Sequence, residues 1–403
     1  MGAYNSEEVK NMDNVLLVFG GEAAEREVSI VTGMQIAAFC PEKYKLFAVI
    51  LDEDGRMFWV KKHDAALCAR KERNKKCFVE VCVRKRALWA CGGRKMKKIC
   101  DTDKAIIACH GGKGENGELV AALEFEGLGC SVGSPLALGI AMDKVVAKAA
   151  FEFFGVPVVD SFWFDKDKFD NMREQVKEQA LAFGYPLVVK PARQGSSVGI
   201  GFVRNPEEFE DAVELALEFD DKILVEKGLV GFRELNVSTI NAFDKVVVSE
   251  VEEPFRHSQI LSFEDKYLGG GKGNLGGGKG GKLGGAKLDL GKDGAGNGGA
   301  KTGSMVGVCR QFPAEVDVEI SDRIKEIAED VVCKLGLIGV ARLDFMLVGD
   351  DLFLNEINSV PGSLAFYFWT RKGEESEFFE KLVAICDFER KNKKHTPIAT
   401  FLK

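Results

Sequence analysis

Four polar residues sit at alternate positions on segments that otherwise read as buried strands. They are Arg342, Asp344, Glu356 and Asn358, within ARLDFMLVGDDLFLNEINSVPG. Apolar runs at 343–348 and 352–354 flank the turn signal Gly349-Asp350-Asp351, which predicts a β-hairpin. Side chains two apart share one face of a strand, so Arg342 pairs in direction with Asp344, and Glu356 with Asn358. A carboxylate on a buried face requires a cation or a donor. Three hard oxygen ligands beside a guanidinium suit Mg²⁺ that also binds phosphate oxygens. A purely structural Arg–Asp/Glu ion pair is the alternative. The Pro361-Gly362 turn that follows can aim backbone N–H groups at an anion.

Further candidates lie upstream. Lys190 ends the apolar run PLVVK, and a buried lysine needs an anionic partner. The GSSVG turn after it offers backbone N–H groups and the hydroxyls of Ser196 and Ser197, a workable phosphate cradle that is not a Walker A loop. His110 stands at the end of the strand-like AIIAC, before the glycine-rich GGKGENGE. Carboxyl ends of parallel strands are where open α/β sheets bind ligands. Glu226 closes the run ILVE. Glu25 and Glu27 lie at the entry of a helix, where a carboxylate is also favoured simply by the helix dipole.

The elements that must position these groups can be read in order. An apolar strand at 15–19 runs through Gly20-Gly21 into a helix, and a second strand follows at 44–51. Residues 61–104 are rich in Lys and Arg and read as a solvated hairpin region. A strand at 105–109 is followed by an extended stretch at 130–135 and a helix from about 136 that carries Met142-Asp143-Lys144. Strands at 162–164, 186–191, 223–226, 233–239 and 246–251 and helices at 171–183, 320–334 and 376–388 complete the pattern. Residues 269–304 are low-complexity Gly, Lys, Leu, Asn and Ala, read as a flexible loop or lid.

Composition sets the outer limits. The 403 residues carry a net charge of −7 and a pI near 5.5, which argues against nucleic acid or an anionic membrane as partner. Eleven scattered cysteines read as reduced thiols of a cytoplasmic protein. No apolar run approaches a membrane span.

Taken in order, FGGEAAEREVS, HGGKGENGE, MDK, YPLVVKPARQGSSVG, VEKG, RELNVS, EDKYL, ARLDF and NEINSVPG resemble the D-alanine–D-alanine ligases of the ATP-grasp superfamily, over residues 15–366. The resemblance implies an α/β, three-domain ATP-grasp fold. Its expected parts are an N-terminal parallel α/β substrate domain (1–141), a central ATP-grasp subdomain (142–230) and a C-terminal catalytic domain (231–403) with a lid loop at 255–305. It implies ATP-dependent joining of two D-alanines through D-alanyl phosphate, with ATP and two Mg²⁺ (or Mn²⁺) as cofactors and a homodimer as assembly. A D-Ala-D-Lac or D-Ala-D-Ser ligase and a non-catalytic nucleotide-binding regulator are the rival readings.

Carried onto matching positions, Glu25 would hold the first D-alanine's ammonium and His110 its carboxylate. Lys144, Lys190, Ser196 and Ser197 would meet the ATP phosphates, with Lys266 reaching the γ-phosphate from the lid. Glu226 would contact adenine through a hinge at Lys227 to Leu229, and Glu234 the ribose. Asp344, Glu356 and Asn358 would hold the metals, and Arg342 with the Gly362 N–H would stabilise a tetrahedral oxyanion. Tyr267 would pack over the second substrate and bond to Ser196 and Glu25. The chain departs from the family in three places. The Glu226–Glu234 interval is one residue longer, Leu261 replaces a common lid tyrosine, and SLAFYFW follows Gly362, leaving Ser363 or Tyr367 to bind the second carboxylate.

Overall fold

The computed structural model describes residues 12–92, 95–254 and 310–392. Three main sheets organise the chain. The first is built on the strands Asp13–Gly20, Tyr44–Leu51 and Lys104–Ala108, which run parallel. Their near-continuous apolar sequence follows from burial on both faces of a parallel sheet. The basic segment is more ordered than a solvated hairpin. Met57–Val60, Phe78–Val83, Ala87–Gly92 and Lys95–Asp101 extend the same sheet as an antiparallel meander. The lysines on its strands occupy the outer one, Lys95–Asp101, and lysines on an edge discourage further pairing.

The second sheet is a four-stranded antiparallel unit of Ser161–Asp165, Lys222–Lys227, Leu187–Pro191 and Gly201–Val203. It has its own core, in which Phe164, Phe169, Phe209 and Val225 are fully buried under the helices Lys166–Phe183 and Phe209–Leu217. The third sheet centres on Ile338–Val348, flanked by Arg233–Ala242 and Asp351–Asn358. The short strand Val132–Gly133 pairs with Ile338 and Gly339 of this sheet. That joint makes the cores of the first and third sheets continuous, from Phe19 and Ile107 to Phe345 and Phe379.

The expected helix through residues 142–144 is in fact two helices, Pro135–Met142 and Lys144–Phe153. Asp143 breaks it. Its backbone is extended, and its side chain accepts from the N–H groups of Val145 and Val146, capping the second helix. The cap points Lys144 and Lys148 from one short amphipathic helix toward the groove between the second and third sheets. No described helix is long and apolar enough to cross a membrane.

Candidate active site

The hairpin of Ile338–Val348 and Asp351–Asn358 carries the polar quartet in register. Arg342 lies opposite Asn358 and Asp344 opposite Glu356, and a bulge follows Asp344. The Arg342 guanidinium grips Asp344 with two bonds, Nε to Oδ1 at 2.6 Å and Nη2 to Oδ2 at 2.7 Å, and Asn358 Nδ2 donates to Oδ2 at 3.2 Å. Burial, joined by the charges of Glu356 and Glu234, still pushes the Asp344 carboxyl up to about 6, against the pull of Arg342. A carboxylate cluster left under-neutralised by its own arginine suits a divalent cation. Among the described residues no three His, Cys, Asp or Glu side chains are grouped closely enough to hold a metal unaided. A cation here would complete its shell with the Asn358 carboxamide oxygen and ligand oxygens, as Mg²⁺ does beside phosphates.

Two adjoining cavities open at this hairpin. The larger, of about 820 Å³ with its mouth, has apolar walls from Val159, Ile200, Phe202, Leu229, Phe232 and Met346. Its lining also includes Lys144, Lys190, Ser197, Glu226, Lys227, Glu234, Asp344 and Asn355. The smaller, of about 700 Å³, is lined by Glu25, His110, Glu115, Arg342, Asn358 and Gly362. Lys144, Gln194, Gly195, Ser196 and Glu356 line both.

Lys227 turns its ammonium away, onto the carbonyls of Phe183 and Gly184 at a helix end, so the cavity receives this segment's backbone. Ser196 and Ser197 have left-handed backbones, with φ of 51° and 60°. They bend the turn so that Ser196 Oγ meets Glu25 Oε1. Gly195 leaves room for this contact: a Cβ would stand 2.5 Å from Glu25 Oε2, so the carboxylate would have to shift off its present position. Gly111 faces the same carboxylate from the other side. Its φ is +68°, and a Cβ would lie 2.9 Å from Glu25 Oε2.

His110 is buried, and both its ring nitrogens are engaged. Nδ1 lies 2.7 Å from the Val360 carbonyl, which can only accept, so Nδ1 carries the proton. Burial holds the ring neutral, with its pKa lowered to about 4, so Nε2 accepts from the Thr32 hydroxyl at 2.8 Å. Thr32 in turn accepts from the Ser363 N–H at 3.1 Å. The ring thus ties the first sheet to the turn bearing Gly362.

Glu115 makes a second tie that the sequence reading did not single out. Oε2 accepts from the Gly111 N–H at 2.7 Å, and Oε1 from the Val360 N–H at 3.0 Å and Ser359 Oγ at 3.1 Å. Burial, with Glu25 nearby, raises its pKa to about 7 in spite of these donors. Its only sequence signal was membership of the glycine-rich HGGKGENGE stretch. A glutamine offers one acceptor oxygen and turns an NH₂ toward an N–H or O–H donor. Glu115→Gln is therefore expected to destabilise by about 1–3 kcal/mol and to lower turnover about tenfold or more as Gly362 loses its position. Thermal unfolding and phosphate release measure the two; no change in either would remove Glu115 from the support of the site.

The remaining candidates divide. Ser363 is buried and lines neither cavity. Tyr367 lines neither as well. It is half-buried, with its ring 4.0 Å from the Arg310 guanidinium and stacked on Phe368, and burial pushes its hydroxyl to about 12. The lid 255–305, with Leu261, Lys266 and Tyr267, lies outside the described residues.

Comparison with known proteins agrees with this arrangement. The D-ala D-ala ligase N-terminus family matches residues 14–134, and the D-ala D-ala ligase C-terminus family matches 150–275 and 303–384. The chain is 30% identical to the D-alanine–D-alanine ligase of Thermosipho africanus over 394 residues, 95% of each chain. It is 30% identical to that of Thermosipho melanesiensis over 367 residues, 90% of each. In fold it is similar to the D-alanine–D-alanine ligase of Coxiella burnetii, with a TM-score of 0.72, 19% identity and coverage of 94% and 95% of the two chains. It is also similar to a D-Ala:D-Ser ligase of Enterococcus faecalis, with a TM-score of 0.68, 22% identity and coverage of 93% and 99%. With family matches across both halves and relatives alike along nearly its whole length, this chain is an ATP-using ligase of ATP-grasp fold and belongs to the D-alanine–D-alanine ligase family.

Proposed function

We propose that this enzyme joins two D-alanine molecules into D-alanyl-D-alanine for peptidoglycan synthesis. The supporting observation is the pair of cavities with a common wall of Lys144, Gln194, Gly195, Ser196 and Glu356. An apolar slot that also presents Lys144 and Lys190 suits a nucleoside triphosphate, and the adjoining polar chamber suits an amino acid. A shared wall is where a phosphoryl group would pass.

A carboxylate is a poor electrophile. In this reading, an oxygen of the first D-alanine's carboxylate attacks the γ-phosphorus, the bond to the β-phosphate oxygen breaks, and ADP leaves. Such a transfer needs positioning and charge neutralisation more than covalent chemistry. Lys144 and Lys190 face the phosphates, the backbone of Lys227 to Leu229 the adenine, Glu234 the ribose, and Glu25 the first substrate's ammonium, while the Glu226 carboxylate, spent on Lys148 and Lys190, meets adenine only through that hinge. Divalent cations held by Asp344, Glu356 and Asn358 would neutralise phosphate charge. The amine of the second D-alanine then attacks the acyl carbon, and phosphate departs. Arg342 and the Gly362 N–H meet the oxyanion formed in between. His110 has both ring nitrogens occupied, so in this state it serves by holding the Gly362 turn. The domain division at 141 and 230, a closing lid, a homodimer and a cytoplasmic site of action belong to the same reading.

A depsipeptide or D-Ala-D-Ser product is the second reading, favoured by one observation: SLAFYFW follows Gly362, and neither Ser363 nor Tyr367 lines the amino-acid chamber. Mass identification of products from ATP, Mg²⁺ and a panel of D-amino and D-hydroxy acids tests both. D-Ala-D-Ala is expected to dominate at neutral to mildly basic pH. A dominant D-Ala-D-Lac or D-Ala-D-Ser product would overturn the acceptor assignment. No phosphate release with any acceptor would favour a non-catalytic nucleotide binder.

A further inference from the structure

Behind the wall of the nucleotide cavity lies a buried charge triad. One lysine, Lys190, and one glutamate, Glu226, line the cavity, and a second lysine, Lys148, does not. Glu226 gives one carboxylate oxygen to each: Oε1 lies 2.7 Å from Lys148 Nζ, and Oε2 contacts Lys190 Nζ. Lys148 also reaches the Val159 carbonyl at 3.3 Å, and Lys190 the Asn355 side-chain oxygen at 3.3 Å. All three side chains are almost wholly buried.

A single lysine would neutralise Glu226, so pairing alone leaves the second ammonium unexplained. Burying a charge is costly, and lysine is among the residues least often buried. The two ammonium groups and one carboxylate sum to +1. Without Lys148, Lys190 and Glu226 would form a neutral pair facing the nucleotide, and Lys190 would have to leave this counter-ion to engage a phosphate. With Lys148 in place, Glu226 stays compensated while Lys190 turns toward the cavity. Burial alone would raise the Glu226 carboxyl, yet the two lysines hold it down at about 2, so it is a full charge at any working pH.

We propose that Lys148 is a positioning residue for nucleotide phosphates, which holds Glu226 so that the positive charge of Lys190 is available to the cavity. This rests on reading the cavity as the ATP site. The test is calorimetric binding of ATP, ADP and adenosine to the full chain. The variants are Lys148→Met, Lys148→Arg, Lys190→Met and the double variant Lys148→Met/Glu226→Gln.

Lys148→Met is expected to weaken ATP and ADP about tenfold, roughly 1.4 kcal/mol, and adenosine by much less. Lys148→Arg should retain most of the affinity. The double variant restores a net +1 through Lys190 alone and should regain the wild-type ratio of ATP to adenosine affinity. In it Lys190 keeps the Asn355 oxygen but no carboxylate, so thermal unfolding of each variant is measured first, and Lys148→Gln carries the test if Lys148→Met folds poorly. Equal weakening of ATP and adenosine by Lys148→Met would make Lys148 merely structural and overturn the proposal. So would a double variant that stays defective for ATP alone. If Lys190→Met weakens ATP but Lys148→Met does not, only this inference falls. If neither changes ATP binding, the reading of the cavity falls with it.

Discussion

Arg342→Met is expected to reduce phosphate release by about 100-fold or more, the scale of losing a preorganised oxyanion donor, and to destabilise the protein at the same time. Both effects come from one guanidinium. It is buried, it lines the smaller of the two cavities, and it grips Asp344 with bonds of 2.6 and 2.7 Å. Asp344 already sits high, at about 6, because burial outweighs the pull of that arginine. Removing the arginine leaves a buried carboxyl without its main partner, which commonly costs about 3–5 kcal/mol. Unfolding followed at pH 5 and pH 8 should separate the terms. At pH 5 the orphaned carboxyl can take up a proton, so the loss of stability should shrink, while activity stays low at both. A variant with more than about a tenth of wild-type turnover, on the same scale, would exclude Arg342 from oxyanion stabilisation.

Glu356→Gln should also cost about 100-fold or more in rate, as loss of one group from a phosphoryl clamp does, but without a matching loss of stability. Glu356 is partly exposed, and Lys144 stands 3.9 Å away. A partly exposed pair at that distance adds little to folding. Its charge also raises Asp344, so removing it relieves a repulsion. The melting temperature of Glu356→Gln should match or slightly exceed wild type while the Mg²⁺ requirement shifts to higher concentration. Near-normal turnover at low Mg²⁺ would take Glu356 out of the metal set. The two variants thus change groups on the two paired strands of one hairpin, on either side of Asp344, and move stability in different directions, a pattern expected where a site holds charges that the fold would shed.

That hairpin was fully legible from sequence, because its information is local. Alternation with period two places Arg342 with Asp344 and Glu356 with Asn358, and Gly349-Asp350 supplies the turn. The parallel strands of the first sheet were legible for the same reason, as short apolar runs bounded by glycine or charge. The helix expected through residues 142–144 failed at one residue. Asp143 competes for backbone N–H groups as readily as it continues a helix, and the apolar periodicity on either side does not record which it will do.

What only the tertiary structure decided is which distant groups answer one another. Glu25 and Ser196 are 171 residues apart, Lys190 and Asn355 165, and Glu115 and Val360 245. The sequence marked Lys190 as needing an anion and His110 as ending a strand. It held nothing to say that Lys190 would share Glu226 with Lys148, or that both nitrogens of His110 would be spent on Thr32 and Val360. Periodicity and turn chemistry act over a few residues, through the geometry of one strand or one helix. The partner of a buried charge is chosen by how three separate sheets close on each other, and burial then makes that choice strict, since a charge removed from water cannot be left without a counter-ion.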